Sequence, residues 1–202
     1  VDQSETCAGC HTLLTSTADL DGNLTGNKFV EQATYHEWLN SIYADDEDPE
    51  AQECQGCHMP RIDEPIVISA NYIFLQGRSP YGLHYMAGAN TFMLEMFRDN
   101  VDELGLAATP EQFDTSLVQT MKILTEQTVD MELNELWFQD DTIAFEVFLQ
   151  NKAGHKFPSG YPARRAFIEL ELTDGEGNAL FHSGDVQEDY EVFGHDASYE
   201  RH

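Results

Sequence analysis

The chain has 202 residues, enough for one large domain or two small ones, and its 37 acidic against 10 basic side chains give a formal charge of −27. That balance disfavours nucleic acid and anionic lipid and favours cationic redox partners, metal ions or positively charged minerals; it also serves solubility in salty water. No run of 18 apolar residues is present, so no transmembrane segment is expected.

All four cysteines fall in two CxxCH motifs, Cys7-Ala8-Gly9-Cys10-His11 and Cys54-Gln55-Gly56-Cys57-His58. The pattern is the attachment signature of c-type haem. Two thiols separated by two residues can each form a thioether to a haem vinyl, and the histidine that follows offers a nitrogen to the iron. Paired CxxC could instead supply four thiolates to zinc, but zinc does not require the histidine that follows each pair here. The expected cofactors are therefore two covalent haems, held by Cys7, Cys10, Cys54 and Cys57, with His11 and His58 as metal ligands. Haem attachment takes place outside the cytoplasm. Periplasmic, cell-surface or secreted placement is expected, with a chain that begins after processing or is a fragment.

Between the motifs, Asp19-Leu20-Asp21-Gly22-Asn23 places oxygen side chains at alternate positions before a glycine. Calcium loops look like this, although a plain turn accounts for the same residues. Phe29 to Ala44 carries Phe29, Val30, Ala33, Trp38, Leu39 and Tyr43 among polar residues, which predicts a helix with one apolar side. Asp45-Asp46-Glu47-Asp48-Pro49-Glu50 then predicts a solvated loop.

Beyond the second motif, the spacing of Phe92, Met93, Met96, Phe97, Val101 and Leu104 predicts a helix over 90–104. Thr109, Pro110 and Gln112 predict a capping box opening a helix whose stripe is Phe113, Leu117, Met121 and Leu124. These methionines and phenylalanines are read as core packing. From about residue 130 the period becomes two: Ile143, Phe145, Val147 and Leu149 alternate with polar or opposite-face residues, as do Ile168, Leu170 and Leu172. Asp140-Asp141 and Asp174-Gly175-Glu176-Gly177-Asn178 supply turns. The expected fold class is α+β, with a dihaem helical region over 1–128 followed by a small antiparallel sandwich-like β region over 129–202.

Six further histidines could complete the iron coordination. His155 lies in Gly154-His155-Lys156-Phe157-Pro158-Ser159-Gly160, and His84 lies in Tyr81-Gly82-Leu83-His84-Tyr85-Met86-Ala87-Gly88. Glycines let such loops approach a flat ring closely, and proline fixes their direction. Either histidine could bind iron through one ring nitrogen while the other is hydrogen-bonded. His36, His182, His195 and His202 sit in helical, strand or acidic-tail surroundings that need no ligand role, although His202 could serve a longer chain or a neighbouring subunit. Met59 and Met86 are the sulfur alternatives.

The order CxxCH, Thr34-Tyr35-His36-Glu37-Trp38, CxxCH-Met59-Pro60, His84 before Gly88-Ala89-Asn90, then Gly154 to Gly160, resembles extracytoplasmic multihaem cytochromes c over most of the chain. The resemblance implies that His84 and His155 are distal haem ligands, and that the C-terminal β region is incomplete. Electron transfer through bis-histidine, low-spin haems is the expected function, by a carrier that is not itself an enzyme. The alternatives are a haem module of an oxidoreductase acting on a small nitrogen or sulfur species, and a subunit of a haem-bearing filament or other oligomer.

Overall fold

The computed structural model describes residues 3–140, 142–188 and 191–192. It divides into two compact units, Val1–Pro162 and Ala163–His202. Helices and antiparallel sheets both occur, so the fold is α+β. Among the described residues the sheets are four two-stranded antiparallel pairs.

The first unit opens with α1 (Glu5–Ala8), which carries the start of the first motif, followed by strands β1 (Leu13–Ala18) and β2 (Leu24–Gln32). These strands pair antiparallel from Leu13↔Gln32 to Ala18↔Leu24. The turn between them is the Asp19–Asn23 segment. Asp19 Oδ1 accepts the amides of Asp21 at 3.0 Å and Asn23 at 2.8 Å, and Gly22 takes φ +86°. These backbone bonds hold the Asp19 carboxyl below the usual carboxylate range. The helix expected over 29–44 is thus cut back. Phe29 and Val30 fit a strand as well as a helix, and pairing with β1 claims them. Only α2 (Thr34–Leu39) and a short 3-10 turn (Ile42–Ala44) remain helical.

The acidic stretch after that turn is a loop, with Asp45 and Asp48 carboxylates accepting the amides of Glu47 and Glu50. Next come α3 (Cys54–His58), which is the second motif itself, and the short pair β3 (Arg61–Ile62) and β4 (Tyr81–Gly82). Helix α4 spans Thr91–Asp99, shorter than expected, with the Asn90 side chain accepting from Met93 N at its start. Helix α5 (Pro110–Glu126) carries the complete Thr109/Gln112 capping box, with Thr109 N donating to Gln112 Oε1 at 2.9 Å. Strands β5 (Val129–Gln139) and β6 (Thr142–Asn151) form the longest ladder, Val129↔Asn151 to Gln139↔Thr142.

This hairpin, read from sequence as the start of the second region, lies within the first compact unit. The second unit holds β7 (Leu170–Thr173) and β8 (Ala179–Ser183), joined by the expected turn, where Asp174 Oδ1 accepts the amides of Glu176 and Asn178. His195 and His202 lie outside the described residues.

Apolar burial is sparse. Ala87 is the one buried hydrophobic residue among those described, while Phe92 and Met121 are 71% and 48% exposed. The helical stripes do meet at Phe97 and Phe113, whose ring centres are 6.1 Å apart. They do not build the core expected of them. Among the described residues, apolar burial therefore contributes little hydrophobic stabilisation.

The capping box gives a local test. Thr109→Ala is expected to destabilise the protein by about 1 kcal/mol, read as a lower urea midpoint at unchanged slope. A midpoint equal to the parent's would show that the cap contributes nothing.

Candidate haem-binding site

Both motifs start on short helices whose first turns are joined to each other. Ser4, fully buried, donates its amide to Glu53 Oε2 at 2.5 Å, and its hydroxyl accepts the amide of Cys54 at 2.9 Å. Gln55 Nε2 donates to the carbonyl of Gln3 at 2.9 Å. Each motif thus satisfies donors that the start of the other leaves open. The result brings the start of α1 against the start of α3.

Burial, and then the neighbouring Cys54, push the Cys7 thiol above its ordinary value. Cys57 is pushed up chiefly by burial and then by Cys54, against the opposing donation from Gln52 Nε2 at 3.1 Å. Among the described residues, no three of the motif thiols and imidazoles bring ligand atoms within 4.8 Å of one another. A preformed tetrahedral thiolate cage of the kind zinc takes is not among the arrangements these residues make.

The segment between the motifs is tied to both. Tyr35 N donates to the carbonyl of His11 at 3.2 Å, Gln52 N to that of Tyr43 at 2.9 Å, and Trp38 Nε1 to that of Gln52 at 3.0 Å. The same segment holds the loop that carries His155. Glu37 Oε2 accepts from Lys156 N at 3.1 Å and from Ser159 Oγ at 2.7 Å. Since that hydroxyl donates to Glu37, Thr34 Oγ1 donates to Ser159 Oγ at 2.9 Å. Gly154 is buried at φ +70°, and a β-carbon there would stand 3.0 Å from Tyr43 Cδ2. Glycine is required twice over, by conformation and by contact.

These tethers bring His155 opposite His58. Their ring planes differ by 11° and their centres are 6.4 Å apart. The Nδ1 of His58 bonds to the carbonyl of Ala87, and the Nδ1 of His155 to that of Lys156 at 2.8 Å. With Nδ1–H donated to a carbonyl, each ring leaves Nε2 as the lone-pair nitrogen, and neither Nε2 has a hydrogen-bond partner among the described residues. Burial, foremost, holds His155 below the ordinary histidine value; the Lys156 carbonyl and Glu37 oppose that shift, and His58 and His11 reinforce it.

Two metal–imidazole bonds of about 2.0–2.1 Å, plus the step from nitrogen to ring centre on each side, would span roughly 6 Å. The 6.4 Å between the ring centres matches that length, so by donor type and separation His58 and His155 are a candidate pair for one metal ion.

The first motif has its proximal candidate, His11, exposed at the end of Cys7-Ala8-Gly9-Cys10. His84 is exposed on the loop after β4, and among the described residues its one ring contact is with Tyr81, at 6.0 Å and 57°. Ala87, on that same loop, supports His58. His36 is exposed on α2. His182 donates or accepts through Nε2 with Glu169 at 2.9 Å, and Asp185 lies 3.9 Å from its Nδ1. The Glu169 contact, foremost, raises the His182 imidazole above its ordinary value. Met59 lies against Gly82, lining a cavity of about 420 Å³ with Gln55, Arg61 and Arg78.

No family model, no curated protein and no solved structure matches this chain. The contribution of the inter-motif bonds is measurable directly. Ser4→Ala removes a buried acceptor from Cys54 N and is expected to cost about 1–3 kcal/mol in urea unfolding. An unchanged stability would mean that the two motif helices are not held through Ser4.

Proposed function

We propose that this chain is a dihaem c-type cytochrome that transfers electrons through bis-histidine, low-spin haems. The single observation that carries the reading is the His58–His155 pair, parallel to within 11° at 6.4 Å with both Nδ1 atoms engaged by carbonyls. In it, Cys7 and Cys10 attach one haem and Cys54 and Cys57 the other, through thioethers. Bound haem supplies one-electron iron chemistry, and the chain's residues set its ligation and surroundings.

His11 and His58 would bind the irons beside their own motifs. His155 would supply a second imidazole to the iron held by His58, and His84 is the candidate for the iron held by His11. Irons bound by two imidazoles each would leave no open site for substrate, which suits a carrier better than an enzyme. The bonds from Ser4 and Gln55 that join the starts of the two motif helices support this reading, because electron exchange between the haems needs them close together. The sparse apolar core also suits a chain that packs on large flat cofactors. The charge of −27 favours a cationic face on the redox partner. Placement outside the cytoplasm follows from haem attachment. No helix among the described residues is long and apolar enough to cross a membrane.

Intact mass of the purified protein should exceed the polypeptide by two haems and survive acid–acetone extraction. His155→Ala should convert one haem, and only one, to a high-spin form that binds carbon monoxide, while His36→Ala should leave both low-spin. A protein that holds zinc and shows no Soret band would overturn the function. A fully low-spin His155→Ala protein would overturn the ligand pairing.

A further inference from the structure

We propose that Glu37 is the positioning residue for His155, and that its carboxylate lowers the reduction potential of the iron between His58 and His155. The inference rests on the bis-histidine reading above. Glu37 lies on α2, remote in sequence from the loop it holds, and its side chain is only 15% exposed. One oxygen, Oε2, takes the Lys156 amide and the Ser159 hydroxyl, which bracket the turn following His155. Lys156 is also the residue whose carbonyl receives the His155 ring at 2.8 Å. The carboxylate thus fixes the residue that orients the imidazole, one bond removed from the ring itself. Thr34 and Tyr43, from the same segment, hold Ser159 and Gly154.

The charge on Glu37 has little local compensation. Its two short bonds come from neutral donors, and the Lys156 ammonium stands at 4.0 Å with its side chain 80% exposed to water. An exposed cation at that distance neutralises a shielded anion poorly. The oxidised iron carries one more positive charge than the reduced iron, so a neighbouring anion favours oxidation and lowers the potential. Partners that orient a metal-bound imidazole commonly change affinity 10–100-fold when removed. Glu37 is placed to do both.

The two roles separate in two substitutions of the haem-loaded protein. Glu37→Gln keeps an oxygen that can accept from Lys156 N and Ser159 Oγ but removes the charge. Both haems should stay low-spin, and the midpoint potential of one should rise while the other stays put. Glu37→Ala removes the acceptor as well. A high-spin, carbon monoxide-binding fraction should appear at the same haem that His155→Ala affects. Should Glu37→Ala fail to accumulate, Ser159→Ala, which removes one of the two donors, should give a smaller fraction of the same kind. Low-spin, carbon monoxide-inert spectra in both alanine variants, or an unmoved potential in Glu37→Gln, would overturn this proposal while leaving the cytochrome reading intact. Absence of a Soret band in the unsubstituted protein would remove both.

Discussion

Long-range polar tethers, more than apolar packing, organise the first unit of this chain. Ser4 donates its amide to Glu53 across 49 residues, and Glu37 reaches Lys156 across 119. Each such bond contributes only about 0.5–1.5 kcal/mol net, more where a charged acceptor takes part. Their effect on geometry is larger than that figure suggests, because each joins segments distant in the sequence. Removing the Ser4 bonds leaves the Gln55–Gln3 bond to join the starts of the two motif helices. Removing the Glu37 bonds leaves the Gly154 to Gly160 loop to the Thr34–Ser159 bond and the Tyr43 ring.

The electrostatics around the His58–His155 pair run against the chain's overall character. With 37 acidic residues, negative charge is plentiful, yet the His58 and His155 imidazoles are bonded to neutral carbonyls, and burial holds His155 below its ordinary value. The closest carboxylate contact is one step away, on Lys156 and Ser159. Surface acidity and the neutral surroundings of the two rings are thus separate features of the chain.

Local patterns were legible in the sequence, and long-range pairings were not. The CxxCH motifs, the Thr109 capping box, the strands at 129–151 and the Asp174 turn depend on residues within a few positions of each other. The glycine and proline around His155 marked that loop for the same reason. The Phe29–Ala44 stretch was misread because Phe29 and Val30 suit either period, and their partner strand carries no signal that points to them. Phe92 and Met121 fit a buried stripe only if a core exists to receive it. Ser4, Glu53 and Glu37 had no pattern at all. Each acts through one or two hydrogen bonds to a distant backbone or hydroxyl, and nothing in neighbouring residues announces that partner.

The position of the His155 loop along the chain also bears on the order of assembly. Closing a span of 119 residues costs less than about 1 kcal/mol more than closing one of 49, since loop entropy grows only with the logarithm of length. Equilibrium hardly distinguishes the two closures, but kinetics does, because distant segments meet late. A chain delivered from its amino terminus presents both cysteine pairs before β6 and the loop after it exist to lie beside His58. The same topology that brings a second imidazole to α3 therefore leaves that helix uncovered until the loop carrying His155 has been made.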